Sequence, residues 1–181
     1  TLEENTFDVS VNRNNVEYVI PAEEFRISSV AEAFGITESN LNDITVEVNI
    51  SLADEHIVEE YNALANANNS QLVFPPVSFE VVAKTTNADG TTTEVTINEF
   101  DQYVERVMEI PAGTDPDKIT TGIVFNPDGT YRHVPTQIIV IDGIYYAKVK
   151  SLTNSTYSVI YNPVTFTDIT GHWAMDAIND M

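Results

Sequence analysis

The 181-residue sequence contains no cysteine. Disulfide bonds, thiolate metal ligands and a cysteine nucleophile are therefore excluded. Basic residues are scarce as well, because eight Lys and Arg stand against 28 Asp and Glu, which leaves a formal net charge of -20. A charge of this sign repels nucleic acid and anionic membrane surfaces, so we expect neither as a partner.

Long apolar runs are also missing. No stretch of about 18 apolar residues occurs, and the opening TLEENTFDVS lacks the basic and apolar regions of a signal peptide. We expect no membrane insertion, and any export signal would lie upstream in a longer parent protein. The hydrophobic share of 43% is nevertheless enough to fill the core of one domain of ordinary size.

Motifs for catalysis are absent from the sequence. It contains no Gly-x-Ser-x-Gly elbow, and the three histidines, His56, His133 and His172, are isolated, without the spacing of a zinc site. We therefore predict that this chain is not an enzyme and needs no cofactor.

A calcium site is a stronger hypothesis for this sequence than a zinc site. The stretches NADGTTTE (87–94) and NPDGTY (126–131) place oxygen ligands near a glycine, and Asp89 and Asp128 are the candidate ligands. Neither stretch contains a complete EF-hand loop, and both are better explained as hairpin turns. No metal site is predicted.

Hydrophobic patterning predicts mostly β-strands. Apolar and polar residues alternate in ITVEVNI (44–50) and in VSFEVVAKT (77–85), and NADG can join the latter to TTTEVTI (91–97) as a hairpin. For YVERVMEI (103–110) we prefer a strand to a short helix. From Ile119 onward turn residues separate a meander of short strands. These are TTGIVF, YRHVPTQIIVI, IYYAKVKS and STYSVIYN.

Two short helices are predicted. In DEHIVEEYNALANANN (54–69) apolar residues recur at helical spacing, Asp54 can cap the first turn, and Asn68 or Asn69 can end the helix. The second helix is SSVAEAFG (28–35), in which a capping box and a stop are predicted at Ser29, Glu32 and Gly35.

Together these elements predict a mainly β (α+β) fold, an antiparallel β-sandwich-like module with one or two short helices. The module spans residues 1–163, with a possible division into two lobes at about 1–111 and 112–163. Asn162-Pro163 is the best boundary because proline restricts the preceding residue and cannot donate to a strand ladder. Residues 164–181 form a separate segment.

Several tyrosines of the last strands are candidates for stacking on a sugar. The candidates for a flat platform are Tyr145, Tyr146, Tyr157 and Tyr161, and the first three are the predicted stacking residues. Because Tyr145 and Tyr146 are consecutive, one of them faces the core and the other faces solvent if they lie on a strand. The alternative, with alternate tyrosines in the core and the others as ordinary strand residues, stays open.

The terminal stretch FTDITGHWAMDAIND resembles the opening of a surface-layer homology (SLH) domain, which begins Phe-x-Asp, a short turn, Gly-His-Trp-Ala and a later Ile. The matching positions are Phe166, Asp168, Gly171, His172, Trp173, Ala174 and Ile178. Thr170 or Asp168 can cap a helix that starts near His172, and Gly171 permits a tight entry. The second SLH motif, with its ligand-contacting arginine, does not occur here, so the resemblance covers only residues 164–181.

The resemblance implies an extracellular protein of the bacterial cell wall or surface layer. SLH domains bind secondary cell-wall polysaccharide, often through pyruvylated sugars, so this polysaccharide is the expected partner of the complete SLH region. The stretch 120–163 is similar, less specifically, to β-rich modules that precede SLH repeats in Firmicutes surface proteins. The expected function is a non-catalytic structural spacer between upstream domains and an SLH anchor. The alternative is a carbohydrate-binding accessory module of a surface-anchored polysaccharide-degrading enzyme.

Overall fold

The computed structural model describes residues 8–25, 30–31, 34, 44–86, 90–126, 128–162, 168 and 171–175. Within these residues the chain forms two antiparallel β-sheets that pack face to face, and a helix lies on one of them. The prediction of a mainly β, sandwich-like fold with a short helix is confirmed.

Sheet A has five strands. In spatial order they are β1 (Asp8–Arg13), β2 (Val16–Pro21), β7 (Glu99–Glu109), β11 (Ile144–Thr153) and β10 (Thr136–Ile141). Every neighbouring pair is antiparallel.

Sheet B has seven strands. Its main path is β3 (Ile44–Leu52), β5 (Val77–Thr86), β12 (Thr156–Tyr161), β8 (Thr121–Phe125) and β9 (Tyr131–Val134). Off this path, β4 (Gln71–Leu72) pairs with β12, and β6 (Thr92–Ile97) pairs with β5.

The alternating patterns place their apolar sides between the sheets, as predicted for a sandwich. On β5, Val77, Phe79, Val81 and Ala83 are all buried. The core contains most of them together with residues of β2, β7 and β11. The predicted hairpin of β5 with β6 and the predicted strand at 103–110 are both confirmed.

The helix α1 (Glu55–Ala67) starts and ends where the sequence predicts. The Asp54 side chain accepts a hydrogen bond from the Ile57 amide at 3.0 Å, and Asn68 is the C-cap. The ring of Tyr61 stacks on Phe125, so α1 covers a small second core on the outer side of sheet B. This helix forms a third layer of the domain.

The second predicted helix is only partly described. Val30, Ala31 and Phe34 are helical, and Val30 and Ala31 are buried. The predicted capping box and stop, at Ser29, Glu32 and Gly35, lie outside the described residues.

The first hairpin, β1 with β2, was not predicted. Asn14 and Asn15 join the two strands with φ values of 52° and 62°, the left-handed conformations of a two-residue hairpin turn. Asparagine tolerates this region better than most residues. The Asn-Asn pair between two alternating runs was therefore the signal that could have identified the hairpin.

Three of the passages between the sheets are short corners. β6 leads to β7 through Asn98, β9 leads to β10 through Pro135, and β11 leads to β12 through Asn154. The treatment of YRHVPTQIIVI as one strand was therefore wrong. Pro135 lacks an N–H and restricts the residue before it, so the ladder with β8 ends there and the chain turns into the other sheet.

The possible division into lobes at residue 111 does not match the topology. In sheet A, β7 from the first part pairs with β11 from the second, and in sheet B, β5 pairs with β12. Both sheets contribute to the same core. The strands on the two sides of residue 111 therefore form one domain.

Candidate functional site

The SLH-like segment is described at Asp168 and at residues 171–175. Gly171 has a φ of 81°, the left-handed conformation that a tight entry requires. The Met175 amide donates to the His172 carbonyl at 3.0 Å, and Met175 is helical. These details are compatible with a helix that starts after His172.

Trp173 has no place in the core of this domain. Its side chain is 92% exposed, and its ring lies 5.6 Å from that of His172. Asp168 and His172 are exposed too. Ala174 is half-buried, and its amide donates to His172 Nδ1 at 3.2 Å. Phe166 and Ile178 lie outside the described residues, so the resemblance to an SLH domain stays a prediction.

The predicted stacking platform is not assembled. Tyr157 lies on β12 of sheet B and is fully buried, and its ring packs against Phe79 in the core. Tyr145 and Tyr146 lie on β11 of sheet A. Tyr157 therefore cannot stack on a glycan, and assigning it to the platform was wrong. The Tyr157 side chain is buried because it lies on the side of β12 that faces the core.

Neither of the other two tyrosines is buried. Tyr145 is on the same side of β11 as the buried Ala147 and Val149, but it lies beyond the end of the core and is 41% exposed. Tyr146 points to the outer face of sheet A and is partly buried. The two tyrosines therefore lie on opposite sides of β11, as alternation along a strand predicts, but the one on the core side is not buried.

A cleft lies on the outer face of sheet A. Its volume is about 190 Å³. We call it the Tyr146 cleft, and its lining residues are Asn12, Asn15, Glu17, Val107, Glu109, Ile141 and Tyr146. Of these, only Tyr146 was predicted as a site residue.

Strand register brings these residues together from several strands and a turn. Glu17 lies opposite Val107, and Tyr146 lies opposite Glu109. The Glu109 amide donates to the Asn15 carbonyl at 3.0 Å, which ties the Asn-Asn turn to the end of β7. Residues far apart in the sequence thus meet because β2, β7 and β11 are neighbours.

Most polar side chains of the cleft are available for a ligand. Glu17 accepts a hydrogen bond from the Ser10 hydroxyl. The side chains of Asn15, Glu109 and Tyr146 have no hydrogen-bond partner within the described part of the chain. The cleft therefore combines an aromatic ring, two aliphatic side chains and polar groups that have no partner among the described residues.

A second depression lies at the open end of the sandwich and shares Asn15 and Glu109 with the Tyr146 cleft. Its volume is about 280 Å³, and its walls are mainly apolar, including Leu52, Phe74 and Pro75. It contributes an apolar rim beside the Tyr146 cleft.

An ion-paired cluster lies farther along the same outer face. Lys148 and Lys150 of β11 contact the two oxygens of Glu105 on β7, at 2.8 and 2.7 Å. Partial burial alone would raise the pKa of Glu105. Hydrogen bonds from Lys148 and Lys150 outweigh this effect and hold the pKa below its usual range.

Replacing Glu105 by glutamine is expected to lower the free energy of unfolding by about 1 kcal/mol at neutral pH. The pKa is lower in the folded chain, so the carboxylate stabilises the fold above the unfolded-state pKa of about 4.3. This stabilisation is lost as the pH falls through the folded-state pKa. Urea titrations across pH should therefore show a stability difference between wild type and E105Q that is full well above pH 4.3, shrinks as the pH falls below about 4.3, and disappears once the pH lies below the folded-state pKa.

The matched control is E99Q, at the exposed start of the same strand, where no ion pair is present among the described residues. It should unfold like the wild type at every pH. If the difference in unfolding free energy between wild type and E105Q persisted unchanged at acidic pH, the assigned role of the ion pairs would be contradicted.

The core contains a buried arginine that the sequence patterns did not predict. Arg106 is fully buried, and its Cζ lies 4.9, 5.0 and 4.2 Å from the ring centroids of Tyr18, Phe79 and Tyr157. Burial lowers the pKa of Arg106 and raises that of Tyr18. Within the described residues no carboxylate pairs with Arg106, so the three rings are its main electrostatic partners.

Arg106 also connects two of the corners. Its Nη2 donates to the Thr153 carbonyl at 2.6 Å, and Tyr18 donates to the Asn154 side chain. Asn154 in turn donates to the carbonyls of Ile97 and Asn98 at 2.6 and 2.8 Å. These bonds join the β6–β7 and β11–β12 corners, so Arg106 has a structural role.

Of the two calcium candidates, Asp128 lies within the described residues, and its carboxylate takes part in a hairpin turn. The Asp128 side chain accepts hydrogen bonds from the amide and hydroxyl of Thr130, at 3.0 and 2.6 Å, and those bonds lower its pKa. Gly129 has a φ of 79°, as a hairpin turn requires. Asp89 lies outside the described residues.

Metal clusters and membrane-spanning helices are both missing from the described part of the chain. No group of three or more His, Cys, Asp and Glu residues is arranged to hold a metal there. No helix there is long and apolar enough to cross a membrane.

Comparisons with protein-family models, with curated proteins and with solved structures gave no match to this chain. The class of protein that the structure defines is thus a two-sheet antiparallel β-sandwich with one covering helix.

Proposed function

We propose that residues 1–163 are a non-catalytic structural module of an extracellular cell-wall protein. In this proposal the module is a stalk that joins upstream domains to an SLH anchor. The complete SLH region of the parent protein binds secondary cell-wall polysaccharide, and the β-sandwich holds the upstream domains away from it.

The observation that carries the proposal is the position of β12, the last strand before the SLH-like segment. β12 pairs with β8 on one side and with β5 and β4 on the other, and its residues Tyr157 to Ile160 are buried. The Asn162 amide donates to Thr120 at 2.9 Å just after the strand. A pulling force on residue 162 therefore acts on an inner strand of sheet B. To extract this strand, the force must break the hydrogen bonds to all of its neighbouring strands together.

The corners and the surface charge also suit a stalk. The network of Arg106, Tyr18 and Asn154 ties the two sheets together where the chain crosses between them. The acidic residues, which give the whole chain a net charge of -20, keep the module hydrated and discourage association with anionic polymers.

The exposed Trp173 supports the assignment of residues 164–181 to a neighbouring domain. Such a large apolar side chain is usually buried, but here it is 92% exposed. In the proposal it packs within a complete SLH domain, where its Gly-His-Trp-Ala context belongs.

The proposal predicts that the module is not needed for anchoring. The variant lacks residues 8–162 in a parent protein with three intact SLH domains. The fraction of the parent that sediments with purified cell walls should change by less than about twofold, because the SLH domains supply the affinity. The measurement is a co-sedimentation assay with and without the deletion.

Removal of the SLH domains from the same parent is the control and should release it from the walls. If deletion of residues 8–162 released the parent instead, the module would itself be the wall-binding part, and the stalk proposal would fail.

A further inference from the structure

We propose that the Tyr146 cleft binds one pyranose ring of a glycan that carries no negative charge. This site does not depend on the stalk function, because a stalk can bind a neighbouring polysaccharide or bind nothing. It also differs from the predicted SLH site in its residues and in the charge of its ligand.

The size and the aromatic wall of the cleft fit a single sugar ring. A volume of about 190 Å³ is below the roughly 300–1,000 Å³ of sites that enclose a drug-sized molecule. The C–H groups of a pyranose can pack on the Tyr146 ring, and Val107 and Ile141 add apolar surface.

The polar groups around the ring match sugar hydroxyls. Glu17 and Glu109 are acceptors, while Asn12 and Asn15 can both donate and accept. The side chains of Asn15 and Glu109 have no protein partner among the described residues. Hydroxyl groups of a sugar would therefore satisfy donors and acceptors that are now open to water.

Charge decides which sugars are accepted. Glu17 and Glu109 are diagonal neighbours on adjacent strands, because Glu17 lies opposite Val107 and Glu109 lies two residues farther along β7. Two carboxylates at this spacing repel a uronic acid or a pyruvylated sugar. A neutral hexose or pentose, or an amino sugar with a protonated amine, meets no such repulsion.

The test measures binding of short oligosaccharides to the purified 181-residue chain by ligand-observed NMR and calorimetry. The panel contains neutral gluco-, manno- and xylo-oligosaccharides, a chitosan oligomer and an oligogalacturonate. We expect at least one neutral or cationic oligosaccharide to bind and the oligogalacturonate not to bind. Tyr146→Ala should weaken the binding at least about tenfold.

Tyr145→Ala is the matched control, because the adjacent tyrosine lies on the opposite side of β11 and outside the cleft. It should change the dissociation constant less than about twofold. Tyr146→Phe keeps the ring and should retain binding, which separates stacking from misfolding. Binding of no neutral or cationic sugar, equal loss in Y145A and Y146A, or equal binding of oligogalacturonate would each overturn the proposal.

Discussion

Arg106→Ala is expected to lower the free energy of unfolding by about 3 kcal/mol. Burying the charge of Arg106 costs several kcal/mol. Attraction to the three desolvated rings contributes about 2 kcal/mol for each ring, and less when the three are combined, so it roughly offsets this cost. Truncation to alanine leaves a cavity, because the rings of Tyr18, Phe79 and Tyr157 pack around the arginine side chain. No other term offsets the free-energy cost of this cavity. Urea unfolding followed by circular dichroism measures the loss.

Two further variants separate volume from charge. Arg106→Met fills the same space without a charge, so we expect its stability to lie within about 1 kcal/mol of the wild type. Arg132→Ala is the surface control, because Arg132 also contacts Thr153 but is exposed. If Arg106→Ala unfolded at the same urea concentration as Arg132→Ala, the core role of Arg106 would be refuted.

Gly122→Ala is the second large effect, with an expected loss of about 2–3 kcal/mol. A Cβ at this position would lie 2.5 Å from Thr136 Oγ1 and 2.9 Å from Val149 Cγ2. Thr136 Oγ1 accepts the Gly122 amide at 2.7 Å and donates to the Val134 carbonyl at 2.8 Å, so moving it breaks two bonds at the β9–β10 corner. Thermal and urea unfolding of the variant measure the loss.

A double-mutant cycle tests this explanation. Thr136→Ala removes the nearest atom, so the G122A/T136A pair should be less destabilised than the sum of its single variants by about 1 kcal/mol or more. Gly129→Ala, at a turn with open space around it, should cost only the strain of its left-handed backbone, about 1 kcal/mol. Additive losses in the cycle would contradict a clash with Thr136.

Local patterns predicted much of the fold. The alternation in ITVEVNI and VSFEVVAKT identified β3 and β5, and Asp54 marked the start of α1 to the residue. The Asn14-Asn15 turn carried an equally local signal that was not used. Turn and capping residues act on neighbours a few positions away, and for this reason they can be recognised in one sequence.

The candidate site was much less predictable. Tyr146 was named, but it was grouped with Tyr157, which is in the core. Arg106 was missed because arginine is rarely buried without a carboxylate partner. Glycine in TTGIVF could have signalled a close approach at Gly122, since a glycine inside a strand often marks one.

The sequence by itself determined most of the strands, their turns, the capped helix, the absence of disulfides and the acidic surface. These depend on composition and on side chains close together along the chain. Only the tertiary structure decided which sheet each strand joins, that the chain changes sheets at Asn98, Pro135 and Asn154, and that Glu17, Glu109 and Tyr146 share a cleft. The physical reason is that apolar and polar alternation specifies which side of a strand is apolar, but not which strand it pairs with. The pairing of strands is selected by packing over the whole core.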